Sequence, residues 1–373
     1  MIYLDSAATS LYKPKMVQQA VLDAMTTMAS PGRGAYRAAM RAANCCYDCR
    51  EALADLFHVP SPEQVVFTFN ATHGLNIAIH SLVKPGSRVL ISGYEHNSVT
   101  RPLRALGADL AVIDTPLFDP ASFLARAEQL LPEVDAAVCT HVSNVFGYVL
   151  PIGELAELCR RHGVPLIIDA AQSAGTLDID FQALGAEFIA MPGHKGLLGP
   201  QGTGVLLCKN DALPLLYGGS GSESAQQTMP AFLPDRLEAG THNVTGIAGL
   251  LAGVRFLQAR GIGEIRRWER ALLERLAGAL RRMPDLQVFY SEDPALQSGV
   301  LSVLPERMRC EDFGGALEKA GVAVRTGLHC APTAHRTVGT LSTGTVRFSF
   351  SPFNTERQIR ETASICKNIL NFH

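Results

Sequence analysis

The sequence predicts an α/β protein with a doubly wound, mostly parallel sheet in a large domain and a smaller α+β domain. Apolar, β-branched runs typical of buried strands alternate with segments of helical periodicity across residues 65–209, which favours a parallel sheet between two helical layers. The chain has 373 residues and is 47% hydrophobic, enough for two domains with substantial cores. We expect the large domain at 15–255, and the small one to combine 1–14 with 256–373.

Composition and charge exclude several classes of protein. The net charge is −2, and no cluster of basic and aromatic residues predicts a nucleic-acid surface. The longest apolar runs, such as 247–254, are too short to cross a bilayer. The start of the chain has no basic segment followed by an apolar core, so no secretory signal is predicted. We expect a cytoplasmic protein that binds neither nucleic acid nor membrane.

The cysteines do not form a disulfide framework. There are nine of them, scattered along a chain without a predicted signal, which is typical of reduced thiols. Cys45, Cys46 and Cys49 are spaced closely enough to raise the possibility of a metal site. They lie in a helical stretch at 38–57 with no second Cys or His pair nearby, so we interpret them as buried thiols and expect no metal.

Two consecutive predicted strands end in residues that carry chemistry. The run 165–168 ends at Asp169, and the run 188–191 leads through a proline and a glycine to His194 and Lys195. Ligand sites in open α/β sheets lie at the carboxyl ends of strands. A lysine that forms a Schiff base and an aspartate that pairs with a pyridinium nitrogen are what pyridoxal phosphate requires. A lone aspartate or lysine would favour an ordinary loop, but the combination favours a cofactor site.

A second pattern predicts a seat for a phosphate. The strand 65–69 turns through Asn70 and Ala71 into a helix at 73–83. A helix N-terminus presents free backbone N–H groups and the positive end of the dipole. Thr72 can add a hydroxyl to this seat. The alternative is that Asn70 or Thr72 only caps the helix.

A third stretch, RTGLHCAP at 325–332, contains a candidate nucleophile. A loop cysteine such as Cys330, beside His329, can act as a nucleophile when its thiolate is accessible. Arg347 follows in a predicted strand at 346–349 and is suited to bidentate binding of an α-carboxylate. The alternatives are an inert packed cysteine and a surface salt bridge.

These motifs together resemble a known family. The segments DAAQS at 169–173 and GHK at 193–195 are similar to the cofactor segment of the class V, fold type I, PLP-dependent aminotransferases. Within them the chain resembles the group of cysteine desulfurases and selenocysteine lyases, over nearly its whole length. The resemblance implies pyridoxal 5'-phosphate as the cofactor. It implies the following cofactor-binding residues: Ala71, Thr72, His96, Asn144, Asp169, Gln172, His194, Lys195 and Thr241.

The resemblance also assigns individual roles. His96 would stack on the pyridine ring and relay protons, and Asn144 would bond the phenolic oxygen of the cofactor. Ala8 in the N-terminal segment would line the substrate pocket, together with Asn144 and Arg347. Relatives commonly carry Ser or Thr where this chain has Pro192, so one hydroxyl contact to the phosphate is missing.

The segment RLEAGTHNV at 236–244 would reach the neighbouring subunit's site and place Thr241 near its phosphate. The resemblance therefore implies a homodimer with shared active sites. An ordinary loop within one subunit is the alternative, and nothing in the spacing excludes it.

The implied reaction is conversion of L-cysteine to L-alanine, with the sulfur left as a persulfide on Cys330 and passed to an acceptor. Lys195 would move the Cα proton with the help of His96. The short interval from Cys330 to Arg347 resembles the group II enzymes, which have a compact catalytic loop. Three alternatives stay open: a selenocysteine lyase, another class V aminotransferase or amino-acid lyase, and a non-catalytic sulfur carrier.

Overall fold

A computed structural model of the chain describes residues 1–32, 34–210 and 212–371. Its helices are α1 (Lys15–Thr27), α2 (Arg37–Phe57), α3 (Ala71–Leu82), α4 (Asn97–Ala105), α5 (Pro120–Leu130), α6 (Ile152–His162), α7 (Phe181–Leu184), α8 (Val244–Arg260), α9 (Ile262–Leu280), α10 (Cys310–Lys319), α11 (Pro332–Val338) and α12 (Glu356–Asn371). Its strands are β1 (Ile2–Tyr3), β2 (Val65–Thr68), β3 (Arg88–Ser92), β4 (Asp109–Ile113), β5 (Ala136–Thr140), β6 (Leu166–Asp169), β7 (Phe188–Pro192), β8 (Gly204–Cys208), β9 (Leu286–Phe289), β10 (Val300–Pro305), β11 (Val322–Ala323), β12 (Arg325–Gly327) and β13 (Thr345–Ser349).

The largest sheet has seven strands in the order β2-β8-β7-β6-β5-β3-β4. All neighbouring strands are parallel except β8, which is antiparallel to both β2 and β7. The predicted mostly parallel α/β fold is therefore confirmed. The glycine-rich segment at 196–204 returns the chain from β7 into the antiparallel strand β8. Because β2, β3, β5, β6 and β7 point in the same direction, their carboxyl ends meet at one edge of the sheet.

The sheet has a hydrophobic core on each face, because successive side chains of a strand point to opposite sides. Ile168 and Ile189 belong to the core that includes α2, α6 and α8. Ile167 and Phe188, their neighbours along the strands, belong to the core that includes α3 and α4. Burial on both faces explains why these strands are near-continuous apolar runs.

The remaining strands form two smaller sheets. The order β12-β13-β10-β9 makes an antiparallel sheet of four strands, and β1 pairs in parallel with β11. A third core lies here and includes Leu4, Leu276 and Phe348. Residues 322–327 are divided between two sheets, since β11 pairs with β1 and β12 pairs with β13. The chain turns between them because β11 pairs with the N-terminal strand, which the local sequence does not reveal.

The described residues include the cysteines, candidate metal ligands and apolar helices that the sequence raised. All nine cysteines are free, and Cys45, Cys46 and Cys49 are buried on α2. No cluster of three or more candidate metal ligands occurs within 1–32, 34–210 and 212–371. None of the helices described is both long and apolar enough to span a bilayer.

Candidate active site

The predicted carboxylate and amine lie at the carboxyl edge of the large sheet. Asp169 ends β6, is 3% exposed, and its Oδ1 accepts a hydrogen bond from the Ala171 amide at 2.9 Å. Burial raises the pKa of Asp169, while the Ala171 amide and Lys195 oppose this shift. No basic side chain bonds this carboxylate within the described ranges. It is therefore available for a protonated ring nitrogen.

Lys195 follows β7 in a turn that leads to the glycine-rich return. Burial lowers the pKa of Lys195 to about 8, Asp169 opposes this, and Arg347 and Arg325 add to it. An amine with a lowered pKa is a better nucleophile near neutral pH. Its Nζ has no hydrogen-bond partner among the described residues, which fits a group that forms a covalent link to a carbonyl compound.

His96 is the N-cap of α4, directly beyond the carboxyl end of β3. Its Nδ1 accepts a hydrogen bond from the Ser98 amide at 3.0 Å. Burial lowers the pKa of His96 to about 4, and nearby cations, first Lys195 and then Arg325, lower it further. The ring is therefore neutral at physiological pH, with its proton on Nε2, and a neutral ring can lie against a protonated pyridine without repulsion.

The N-terminus of α3 forms the predicted phosphate seat. The Asn70 side chain caps the helix by accepting from the His73 amide at 2.9 Å. The first-turn amides of Ala71 and Thr72 have no intrahelical acceptor and are available for an anion. The Thr72 Oγ1 lies 2.8 Å from the Ser98 Oγ, so Ser98 links this seat to His96. The free amides and the Thr72 hydroxyl fit a phosphate group, and the nearby His96 ring fits a pyridine.

Other predicted cofactor residues contact the N-terminal arm. The Gln172 amide nitrogen donates to the Ala7 carbonyl at 3.0 Å. The His194 Nδ1 lies 3.0 Å from the Thr9 Oγ1, and burial lowers the pKa of His194 to about 4. Ala8 lies between these contacts. The arm thus packs over the turn that carries Lys195.

Arg347 lies on β13 and is 1% exposed, so the surface salt-bridge alternative does not apply. Its Nη2 donates to the Asp5 carboxylate at 2.7 Å, and its Nη1 donates to the Asn144 carbonyl at 2.9 Å. Its Nε is buried without a partner in the described part of the chain. The guanidinium is thus already paired with Asp5, a pairing that sequence reasoning missed.

Cys330 is the one exposed thiol of the nine, all of which lie in the described ranges. It follows His329, and both residues adopt left-handed backbone conformations, with φ of 57° and 49°. Such conformations cost free energy in residues with a side chain and require support. The Asn144 side-chain amide donates to the His329 carbonyl at 2.8 Å, and the Asn97 amide donates to the Cys330 carbonyl at 2.7 Å.

These hydrogen bonds hold the thiol in a defined position. The His329 Nε2 lies 3.2 Å from the Thr345 Oγ1, and burial lowers the pKa of His329 to about 2, so the ring stays neutral. The Arg325 Nη2 lies 3.9 Å from the Cys330 Sγ. This guanidinium therefore faces the Cys330 sulfur.

Glu95, which sequence reasoning missed, is completely buried beside His96. Its Oε1 accepts from the Ser92 amide and hydroxyl and from the Thr140 amide. It therefore joins the carboxyl ends of β3 and β5, from which His96 and Asn144 extend. Burial raises the pKa of Glu95 to about 8, so it is protonated at neutral pH. Its only sequence signal is its position next to His96.

Thr241 is the predicted residue that the chain does not bring to this site. It is exposed and lines a different cleft, together with Phe69 and His73. Pro192 is buried as the last residue of β7, opposite Gly204. Any role of Thr241 at a phosphate depends on a second subunit.

The parallel sheet, the buried Asp169 and the adjacent Lys195 define a PLP-dependent enzyme of fold type I. The aminotransferase class-V family model matches residues 2–361. The chain belongs to the class-V aminotransferase family, and the predicted resemblance is confirmed.

The chain is also similar to proteins that carry a more specific name. A probable cysteine desulfurase of Methanothermobacter thermautotrophicus is 33% identical over 96% of this chain and 92% of that protein. One from Pyrococcus abyssi is 30% identical over 99% of this chain and 94% of that protein. The apo cysteine desulfurase of Thermococcus onnurineus NA1 superimposes with a TM-score of 0.92, at 29% identity, over 100% of this chain and 95% of that one. The cysteine desulfurase CsdA of Escherichia coli gives 0.86, at 27% identity, over 99% and 94%.

Replacing Asp169 with Asn tests its role toward the ring nitrogen. The amide can still accept from the Ala171 amide, but it carries no charge and does not favour a protonated ring. We expect the variant to retain the cofactor and to lose kcat by roughly 100-fold or more. Turnover and bound cofactor are measured on the same sample. Asp109→Asn, at the exposed first residue of β4, is the control. An Asp169→Asn enzyme with normal kcat would contradict the assignment.

Proposed function

We propose that this enzyme is a cysteine desulfurase, which converts L-cysteine to L-alanine and leaves the sulfur as a persulfide on Cys330. The single observation that carries the proposal is the exposed Cys330 thiol, held in a left-handed turn beside Arg325 and next to the Lys195 site. A transaminase has no need of such a thiol. The names of the relatives support the same conclusion.

The proposed roles follow from the geometry. When bound, pyridoxal phosphate supplies an electron sink that stabilises negative charge on the substrate Cα. Arg347 binds the substrate carboxylate, and Lys195 moves the Cα proton. The Cys330 thiolate attacks the substrate sulfur, so that an S–S bond forms and the substrate C–S bond breaks. The electron pair of that bond passes to the carbon skeleton, which takes up a proton and leaves as alanine.

The direct test is an assay of sulfide and alanine released by the holoenzyme from a panel of amino acids. L-cysteine with a thiol reductant is expected to give both products in equal amounts. Preferred turnover of selenocysteine would identify a lyase for that amino acid, and keto-acid formation without sulfide would identify an aminotransferase.

Proposed acceptor and location follow from the same thiol. The Cys330 sulfur is exposed, so a persulfide there is accessible to an acceptor protein or a small thiol. All nine cysteines are free, which supports a location in the reducing cytoplasm.

Arg347 is the proposed carboxylate-binding residue, and Arg347→Gln tests it. Charge-assisted hydrogen bonds contribute about 1.5–3 kcal/mol, so we expect KM for cysteine to rise roughly 10- to 100-fold. The cofactor spectrum should change little, because Arg347 contacts the Asp5 carboxylate and the backbone carbonyl of Asn144, not the Asn144 side chain. Arg347→Lys keeps the positive charge but loses the planar guanidinium. Its KM for cysteine should lie between those of the wild type and Arg347→Gln. An unchanged KM in Arg347→Gln would remove the residue from the substrate site.

We further propose a homodimer in which Thr241 completes the partner's phosphate site. Exposed Thr241 and several exposed apolar side chains support it, among them Leu22, Met25 and Tyr217. Large exposed apolar groups are typical of interfaces.

Subunit mixing tests this arrangement. Lys195→Ala and Thr241→Asp are each expected to be inactive alone. After mixing and subunit exchange, roughly a quarter of wild-type activity should return, since half of the dimers are mixed and each has one intact site. No recovery, or an active monomer in sedimentation, would contradict shared sites.

A further inference from the structure

Several unpaired polar groups line a cleft that Lys195 borders and that Cys330 does not reach. This narrow cleft has a volume of about 40 Å³ and is lined by Lys195 and Gln172 of the large sheet region, Ser6 of the arm, Glu269 of α9, and Ser298 and Gly299 before β10. None of the proposed catalytic steps uses Glu269. The cleft therefore lies where three parts of the chain meet.

Glu269 is 5% exposed, yet its carboxylate has no hydrogen bond or ion pair with any of the described residues. The neighbouring Arg270 does not compensate it, since that guanidinium bonds Glu274 and the Ser291 carbonyl. Burial alone raises the pKa of Glu269 to about 8. A buried carboxylate without a partner costs several kcal/mol when ionised, so the native state has to neutralise it.

The side chain is fixed by close packing against the backbone. A Cβ added to Gly299 would lie 2.8 Å from the Glu269 Oε2 and 3.1 Å from its Cβ. The Glu269 side chain therefore lies directly against the backbone at Gly299, at the wall of the cleft.

Other oxygens that line the cleft are also unsatisfied. The Ser6 Oγ is buried without a partner in the described part of the chain. The Ser298 Oγ and the Gln172 Oε1 make no hydrogen bond to described residues. One carboxylate with neutral oxygens is suited to a hard cation of single charge. Calcium sites, by contrast, generally use several carboxylates, and no such cluster occurs among the described residues.

We propose that Glu269, with Ser6 and Ser298, binds one monovalent inorganic cation such as K⁺, Na⁺ or NH₄⁺ in this cleft. The ion neutralises the carboxylate and connects α9 to the N-terminal arm and to the turn that carries Lys195. The proposal does not depend on which amino acid the enzyme uses.

Thermal unfolding of the holoenzyme tests the site. Melting is compared in KCl, NaCl, NH₄Cl and choline chloride at equal ionic strength, because choline is too large for the cleft. At least one inorganic ion should raise the melting temperature of the wild type by roughly 2–4 °C in a saturable way. Glu269→Gln should melt at the same temperature in all four salts. Glu264→Gln, an exposed position on the same helix, should respond like the wild type.

Crystals of the wild type soaked in Rb⁺ give an independent measurement. An anomalous peak beside Glu269 is expected. Because this measurement uses the wild type, it tests the cation site even if Glu269→Gln fails to fold. Equal melting in all four salts, a Glu269→Gln variant that keeps the response, or Rb⁺ bound only elsewhere would overturn the proposal. Glu269 would then be a buried acid neutralised by its own proton.

Discussion

Cys330→Ala is expected to lose cysteine turnover by roughly 1,000-fold or more while it binds the cofactor normally. Loss of a nucleophile has effects of this order or larger, and the thiol is exposed and makes no contact that holds the fold beyond its approach to Arg325. The cofactor spectrum and the spectral change on adding cysteine should be preserved. Selenocysteine turnover should fall less, because selenium leaves carbon more readily without a nucleophile.

Mass spectrometry locates the sulfur directly. After brief exposure to L-cysteine without reductant, the peptide that contains Cys330 should carry one additional sulfur atom. Cys208→Ala is the control, because Cys208 is completely buried in β8 and its loss should cost stability alone. Sulfur on another peptide, or normal desulfuration by Cys330→Ala, would reject the desulfurase mechanism in favour of a general class V lyase.

Lys195→Ala is expected to abolish both turnover and the visible absorption band of the lysine-bound cofactor. The residue has two proposed roles, the covalent link and movement of the Cα proton. Loss of proton transfer at Cα alone lowers the rate by about 10²- to 10⁴-fold. The cofactor should still bind through Asp169 and the α3 N-terminus, with lower affinity and an altered spectrum. A variant that keeps the band would disprove the assignment.

The same lysine predicts a pH dependence for loading the cofactor into the apo protein. The neutral amine is the nucleophile, and the pKa of Lys195 is lowered to about 8. Loading should therefore accelerate as pH rises toward about 8 and level off above it. A rate that still rises steeply near pH 10 would show that the amine has an ordinary pKa.

Arg347 illustrates how the fold adds contacts that the sequence does not reveal. The sequence indicates a carboxylate-binding arginine on a strand. In the structure its guanidinium already pairs with Asp5 and the Asn144 carbonyl. If Arg347 binds the substrate carboxylate as proposed, that carboxylate has to compete with Asp5 for the guanidinium.

Much of the fold and the chemistry followed from the sequence alone. Periodic apolar runs predicted the alternation of strands and helices across the large sheet. The residue types at strand ends, Asp169 and Lys195, and the loop residue Cys330 indicated the cofactor and the nucleophile. Such signals are local: they depend on which side chain follows a strand, and the parallel sheet then brings the strand ends together.

Only the tertiary structure decided which groups meet across the chain. Segments that are distant in sequence meet at three places: around the buried Glu95, at the ion pair between Asp5 and Arg347, and in the cleft at Glu269. The division of 322–327 between two sheets likewise depends on the N-terminal strand. Local periodicity carries no information about partners hundreds of residues away. Burial, which raises the pKa of Glu95 and of Glu269, is a property of the packed core.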